Sequence, residues 1–273
     1  MSGAPTLTDR TALLAHRRRA ARRPALFLHQ EAAAEIEERL SEVNKSYSAP
    51  LLIGHATPPL TALLPAAAQI EDNAELAIQR GAHDLVVHAF GLHWADDPVG
   101  QLVQSRLALK PDGLFLGVLF GGETLKELRA VLAEAEARLS DGLSPRVLPM
   151  ADLRDTGGLL QRAGFALPVA DSRKLTVRYP DLATLVRDLR GMGETNALAA
   201  RNRRLPARTL FAEAERLYRD HFADKTHLNA TFVLVFLTGW APADTQPQPL
   251  RPGSAKARLS DALGVPESKL DPG

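Results

Sequence analysis

Two continuous apolar runs separated by a single helix constrain the fold of this chain more than any other feature. The first run covers residues 84–90 and the second covers residues 114–120, with a helical pattern over about 98–109 between them. Lys110-Pro111-Asp112-Gly113 places Pro and Gly where they would end that helix in a turn. Apolar runs of this kind are typical of strands covered on both faces. Strand, helix, turn and strand in this order predict a parallel α/β sheet.

Similar patterns on either side extend the alternation over most of the chain, with polar, glycine or proline breaks between segments. The predicted helices cover residues 7–23, 26–43, 98–109, 123–140, 152–163, 181–190 and 206–222, and the predicted strands cover 49–54, 66–70, 84–90, 114–120, 165–169, 174–178 and 230–240. We therefore expect an N-terminal helical segment over 1–46, an α/β domain over 47–242 with a helical insertion at about 181–225, and a proline-rich tail over 243–273.

Chain length, the length of the apolar runs and the net charge limit which classes of protein this chain can belong to. The chain has 273 residues, enough for one α/β domain with an appended subdomain. No apolar run approaches the roughly 20 residues needed to cross a bilayer, so we expect a soluble protein without a membrane span. The net charge of +1 gives no global electrostatic basis for nucleic-acid binding.

Although the net charge is close to zero, a cluster of arginines lies near the N-terminus. It consists of Arg17, Arg18, Arg19, Arg22 and Arg23. The main interpretation is a solvated helix face or a docking strip, with a membrane surface, an acidic partner and nucleic acid as alternatives. An Arg-rich, acid-poor start is also compatible with a mitochondrial presequence.

Few residues are candidates for catalysis or metal binding. The chain has no cysteine, which excludes disulfides, thiolate nucleophiles and the usual zinc and iron–sulfur sites. His83, His88 and His93 are close in sequence, but their spacing fits no helical metal motif, and His88 lies within an apolar strand. We predict no metal site, and neither a Ser-His-Asp triad nor a carboxylate pair can be assigned.

Several short segments carry a family resemblance that spans almost the whole chain. They are Asp84-Leu85-Val86-Val87, Leu92-His93-Trp94, Lys110-Pro111-Asp112-Gly113, Gly121-Gly122-Glu123-Thr124-Leu125, Gln161-Arg162-Ala163-Gly164-Phe165, Arg190-Gly191-Met192-Gly193-Glu194-Thr195-Asn196-Ala197, Leu237-Thr238-Gly239-Trp240-Ala241-Pro242 and, in the tail, Pro249-Leu250-Arg251-Pro252-Gly253-Ser254-Ala255. The chain resembles class I S-adenosylmethionine-dependent methyltransferases. Within them it resembles the group of the respiratory complex I assembly-factor arginine hydroxylase, related to the malonyl-carrier-protein methyltransferases of biotin synthesis. The resemblance implies a Rossmann-like methyltransferase fold with a mostly parallel sheet.

The cofactor loop departs from the family pattern. That pattern places an acidic residue before Gly-x-Gly-x-Gly after the first strand, because glycine permits a tight turn and a close backbone approach. Here the stretch over 51–59 keeps Gly54 alone among those glycines, and Pro58 and Pro59 remove backbone donors. We therefore expect a degenerate cofactor site, with S-adenosylmethionine as the cofactor if there is any.

The interval to the next strand is also short. The resemblance implies that Asp72 is the acid at the end of the family's third strand, which leaves about a dozen residues after the first loop, too few for a helix–strand–helix crossover. Reading Glu71 or Asp72 as the second-strand acid instead leaves the third strand absent. Either reading predicts that one βα unit is missing. Gly54 and Asp72 are the candidate cofactor-binding residues.

The substrate side of the resemblance is better preserved. His93 and Trp94 match the family at the mouth of the active-site cleft. Glu194 and Asn196 belong to a Gly-Met-Gly-Glu-Thr-Asn segment that either lines a substrate pocket or forms a tight turn between helices. These four residues are the candidate substrate-pocket residues.

Two main functional hypotheses follow. The first is a pseudoenzyme or assembly factor acting on a respiratory-complex protein, with a complex I subunit as the partner that the resemblance implies. The second is an active methyltransferase or protein-arginine hydroxylase. Nucleic-acid modification is a weaker third. We expect a cytoplasmic location in a bacterium, with contact at the inner membrane as an alternative, or the mitochondrial matrix in a eukaryote.

Overall fold

The computed structural model describes residues 6–140 and 142–246. Of the described residues, those up to Pro242 belong to one compact unit, which contains all the helices and strands below. Most of the predicted tail, from residue 247 onward, lies outside the described residues.

The elements follow the predicted alternation. The helices are α1 (Arg10–Ala20), α2 (Phe27–Glu42), α3 (Pro58–Leu63), α4 (Pro98–Ala108), α5 (Lys126–Leu139), α6 (Leu153–Arg162), α7 (Leu182–Met192) and α8 (Arg208–Phe222). The strands are β1 (Pro50–Gly54), β2 (Ala68–Ile70), β3 (His83–Ala89), β4 (Leu109–Phe120), β5 (Ala166–Tyr179), β6 (Ala223–Asp224) and β7 (His227–Trp240). A single 3₁₀ turn, Leu92–Trp94, follows β3.

The strands form one sheet in the order β2-β1-β3-β4-β7-β5. Its first four strands are parallel, β7 runs antiparallel between β4 and β5, and β6 pairs with the start of β7. The predicted α/β fold with a parallel sheet is confirmed. Since parallel strands end at the same edge, the residues that follow β1, β2 and β3 meet on one side of the molecule.

Helices cover both faces of this sheet because successive strand residues point to opposite sides. Leu52, Val87 and Leu116 belong to a core that includes residues of α2, α5, α7 and α8. Leu51 and Val86 belong to a second core that includes residues of α4 and α6. Burial on both faces explains why the central strands are continuous apolar runs.

The interval between β1 and β3 is reduced, as predicted. Residues 55–82 contain the six-residue α3 and the three-residue β2, and no helix lies between β2 and β3. β2 pairs directly with β1, and the sheet ends at β2. This interval therefore holds one strand where the family arrangement described above has two.

Two local predictions are wrong. Lys110–Gly113 is not a turn ahead of the strand but an irregularity inside β4, since His83 pairs with Leu109 and Leu85 already pairs with Leu114. The two strands predicted over 165–169 and 174–178 are one strand, β5, with a register shift between Ala166 and Val169. Its turn-like middle residues are tolerated because β5 is an edge strand that pairs along most of its length with β7.

Candidate functional site

The carboxyl ends of β1, β2 and β3 lie at one edge of the sheet, where open α/β sheets usually bind ligands, and this edge is called the crevice below. Gly54 ends β1 with a φ of 100°, which L-residues rarely adopt. A Cβ at this position would lie 2.3 Å from the carbonyl oxygen of Ala89, at the end of β3. Gly54 is therefore required for the close approach of two strand ends, whatever else it does.

The helix that follows Gly54 offers few donors to a ligand. α3 begins at Pro58 and Pro59, neither of which has a backbone N–H. The hydroxyl of Thr57, the N-cap residue, is buried without a hydrogen-bond partner among the described residues. A helix N-terminus binds anions through its free N–H groups, so this one is weakened for that purpose.

Asp72, the second cofactor-binding candidate, is bound by the chain's own arginines. Its Oδ1 lies 2.8 Å from Arg17 Nη1 and 3.0 Å from Arg10 Nη2, and its side chain is fully buried. Arg17 also donates through Nη2 to the carbonyl oxygen of Phe90, at 2.7 Å. Burial opposes ionisation, but the charges and hydrogen bonds of Arg17 and Arg10 outweigh it and hold the pKa of Asp72 well below its usual range. The arginine side chain thus spans the ends of two strands.

Sequence reasoning did not anticipate this role for Arg17, which it treated as part of a solvated or docking cluster. A signal was available in α1, where Leu13, Arg17 and Ala20 are all buried. Their spacing places them on one helix face, so Arg17 occurs where an apolar residue is expected. Of the remaining cluster, Arg18, Arg19, Arg22 and Arg23 are exposed.

A buried histidine, His29, and a half-buried one, His55, add to the crevice. The rings of His29 and His55 are 5.7 Å apart, and His29 lies 4.6 Å from the ring of Phe90. Neither ring nitrogen of His29 has a hydrogen-bond partner among the described residues. Burial lowers the pKa of both histidines to about 4, so they are neutral at physiological pH.

Among the four substrate-pocket candidates, His93 and Trp94 both contact the carboxylate of a third, Glu194. Glu194 Oε2 lies 3.0 Å from His93 Nε2 and accepts a 2.8 Å hydrogen bond from Trp94 Nε1. The 3₁₀ turn after β3 supplies the histidine and the tryptophan. Gly193, with a φ of 81°, ends α7 and turns the chain so that the glutamate follows directly.

The Glu194 carboxylate is ionised despite its burial. Burial alone would raise its pKa, but attraction to His93, the hydrogen bonds and the nearby Arg17 lower it to about 2. Its second oxygen, Oε1, has no hydrogen-bond partner among the described residues. Buried carboxylate oxygens are rarely left without a donor, and such an atom calls for an explanation.

A cavity of about 810 Å³ adjoins this carboxylate. Trp94, Glu194 and Asn196 line it, together with residues of α1, α5, α7 and the segment that leads to α8. Asn196 also donates through Nδ2 to the carbonyl oxygen of Pro145, at 2.8 Å. The Gly-Met-Gly-Glu-Thr-Asn segment thus serves both as the end of a helix and as a cavity wall, which were the two alternatives left open by the sequence.

The remaining motif residues make contacts within the chain. The Thr124 hydroxyl donates to the carbonyl oxygen of Gly121 and accepts a hydrogen bond from the Val233 N–H, so it anchors the loop to β7. His83 contacts the Ala49 carbonyl oxygen, and His88 contacts Gln101. Within 6–140 and 142–246, no group of three or more metal-ligating side chains is placed to hold an ion.

The chain aligns with curated proteins along most of its length. It is 36% identical over 212 residues to Arginine-hydroxylase NDUFAF5, mitochondrial, of Danio rerio, covering 77% of this chain and 66% of that protein. The protein of the same name from Homo sapiens is 36% identical over 211 residues, covering 77% of this chain and 61% of the relative. Malonyl-[acyl-carrier protein] O-methyltransferase of Laribacter hongkongensis is 33% identical over 172 residues, covering 63% and 56%.

These alignments span less than two thirds of the length of each relative. No protein-family model matches the chain. In the part of the chain that the structure describes, no helix has the length and apolar character needed to span a bilayer. Its similarity to these hydroxylases and methyltransferases, together with its α/β sheet, supports placement of the chain in the class I methyltransferase superfamily.

Proposed function

We propose that this chain is a pseudoenzyme of the methyltransferase fold that acts as an assembly factor, binding a protein partner without using S-adenosylmethionine. The observation that carries the proposal is the position of Arg17. Its guanidinium bridges Asp72 and the Phe90 carbonyl oxygen across the strand ends where a cofactor would lie.

The residues of the crevice do not fit S-adenosylmethionine. A ribose or an amino group would need free carboxylate oxygens, but both oxygens of Asp72 accept hydrogen bonds from Arg10 or Arg17. The glycine turn that would let the loop approach the cofactor is absent, and Pro58 and Pro59 lack donors. Displacing Arg17 would remove the closer of the two arginines that balance the buried Asp72 charge, which is costly.

The substrate side supports a retained binding function. The cavity beside Glu194 is within the size range of small-molecule sites, and its wall includes the Gly-Met-Gly-Glu-Thr-Asn segment, which carries part of the family resemblance. The resemblance implies a respiratory complex I subunit as the partner. The Danio rerio and Homo sapiens relatives are named as mitochondrial proteins, so we propose action beside the respiratory chain, in the bacterial cytoplasm or in the mitochondrial matrix.

One observation favours a second candidate, a protein-arginine hydroxylase. The ionised Glu194 has a free oxygen at the cavity, and a carboxylate of this kind pairs well with a guanidinium group. This candidate requires that a cofactor enters the crevice in spite of Arg17. The two functions therefore differ in whether the chain binds a cofactor.

Calorimetric titration of the full chain with S-adenosylmethionine and S-adenosylhomocysteine separates them. The Laribacter hongkongensis relative is a suitable positive control. We expect no heat of binding from this chain, together with retention of a complex I subunit in a pull-down. Micromolar binding of either compound would overturn the pseudoenzyme proposal. Absence of both cofactor binding and the subunit would overturn the assembly role.

A further inference from the structure

The cavity beside Glu194 has an excess of positive charge. Eight arginines line it, and Glu194 is its one acidic residue. Three of these arginines already have acidic partners, because Arg146 pairs with Glu136 and both Arg201 and Arg203 lie near Asp9.

The other five arginines have no ion pair in the described part of the chain. They are Arg19, Arg23, Arg187, Arg190 and Arg204. They come from α1 and the turn just after it, from α7 and from the segment before α8, so three separate parts of the chain bring unpaired guanidinium groups to one opening. All five are exposed, and their charges remain available to a ligand.

The inner wall of the same cavity is apolar. Its buried members are Phe120, Leu125, Leu128, Leu132, Leu148 and Phe232. Leu205 also lines the cavity and is 95% exposed, so an apolar side chain stands beside Arg204 at the opening. A basic opening with an apolar interior selects for a ligand that carries both acidic and apolar groups.

Glu194 requires that the ligand also carry a hydrogen-bond donor. Its unpartnered Oε1 is an acceptor, and its side chain is 6% exposed. A donor on the ligand, such as a backbone amide N–H, would satisfy it. A fatty acid has no such donor once ionised, whereas a polypeptide has one at nearly every residue.

We propose that this cavity binds an acidic segment of a protein, with its carboxylates on the five unpaired arginines, an apolar side chain against the inner wall and a backbone amide on Glu194. The proposal rests on the proposed protein-binding function and adds the chemistry of the partner's binding segment. It does not depend on the state of the crevice, because the cavity is built from other residues.

A displayed library of random short peptides, selected on the immobilised full-length chain, tests this directly. We expect the recovered peptides to be enriched in Asp and Glu together with Leu, Ile, Val or Phe. A recovered peptide is then synthesised with a fluorescent label, and its affinity is measured by anisotropy at low and high salt. Screening of the arginine charges should weaken binding as salt increases.

Matched variants locate the site. Arg190→Gln with Arg204→Gln removes two charges at the opening, and both side chains are exposed, so the fold is retained. We expect the affinity to fall about tenfold. Arg80→Gln with Arg162→Gln removes two exposed arginines outside the cavity and should leave the affinity unchanged.

Three results would overturn the inference. They are recovery of neutral or basic peptides, equal affinity of the two double variants, and dodecanoate that binds at the cavity and displaces the peptide at equal or lower concentration. The last result would assign the site to an acyl carboxylate. Failure of the cofactor proposal would appear separately, as binding of S-adenosylmethionine with peptide selection unchanged.

Discussion

Replacing Arg17 with methionine tests the feature on which the proposed function depends. Methionine has nearly the same length and keeps the apolar contacts of the arginine stem, but it removes the guanidinium from Asp72 and Phe90. The Arg17 side chain is 7% exposed and that of Asp72 is 0% exposed, so water cannot replace the lost partner without rearrangement.

The magnitude follows from the geometry. At the 2.8 Å separation of Arg17 Nη1 and Asp72 Oδ1, the attraction is roughly 6 kcal/mol at an effective dielectric constant of about 20. Desolvation of the two groups offsets much of this, and removal of one partner of a buried pair typically costs about 3–5 kcal/mol. Arg10 stays on Asp72 in the variant, so we expect Arg17→Met to lower the free energy of unfolding by about 3 kcal/mol.

The assay is urea denaturation followed by tryptophan fluorescence, because Trp94 lies in the same region and is buried. Arg18→Met is the matched control, since Arg18 is the neighbouring exposed arginine of α1, and it should change the stability by less than about 0.5 kcal/mol. The double variant Arg17→Met with Asp72→Asn should be more stable than the sum of the two single changes predicts, since no buried carboxylate then lacks its partner.

Equal stability of the Arg17→Met and Arg18→Met variants would refute this reasoning. It would mean that the ion pair contributes little and that a cofactor could displace Arg17 at low cost. Absence of coupling in the double variant would lead to the same conclusion.

Three further predictions concern pH, strand approach and the cavity. Burial lowers the pKa values of three histidines to about 4, namely the fully buried His29 and His88 and the half-buried His55. The unfolded chain binds more protons between about pH 6.5 and 4, so stability should fall as pH decreases, by roughly 1.4 kcal/mol for each histidine between pH 8 and 5.5; equal urea midpoints at those two pH values would contradict this. Gly54→Ala should lower stability by about 3 kcal/mol because of its Cβ contact with Ala89, whereas Gly122→Ala, with φ of 55° and nothing nearer than 4.0 Å, should cost about 1 kcal/mol by the same assay. Glu194→Gln should lower stability at pH 7 by about 2 kcal/mol, because the amide keeps an acceptor but loses the attraction to His93, and an unchanged urea midpoint would exclude an ionised glutamate.

The sequence predicted the elements whose pattern is set by burial alone. The runs over 84–90 and 114–120 lie between two helical layers. Because strands buried on both faces are continuously apolar, these runs predict strands of the sheet. β5 was divided in two because it is an edge strand whose burial alternates only weakly, and its middle residues resemble a turn. Local propensity cannot identify a strand that is held by pairing with β7.

The candidate site was only partly accessible for a different reason. His93, Trp94 and Glu194 were found through short motifs, but their contact joins residues that are about a hundred positions apart, a separation that spacing does not encode. Arg17 was missed because a charged residue in a basic cluster is usually solvated. Its partner Asp72 is 55 positions away, and nothing local indicates that the two meet.

Helix α1 contributes an arginine to each of the two sites. Arg17 contacts Asp72 and Phe90 at the crevice, whereas Arg19 of the same helix and Arg23 just beyond its end line the cavity. A cofactor that displaced the Arg17 side chain would leave α1 in place, so we expect occupancy of the crevice and binding at the cavity to vary independently. Binding of S-adenosylmethionine with unchanged peptide affinity would therefore overturn the pseudoenzyme proposal and leave the cavity proposal standing.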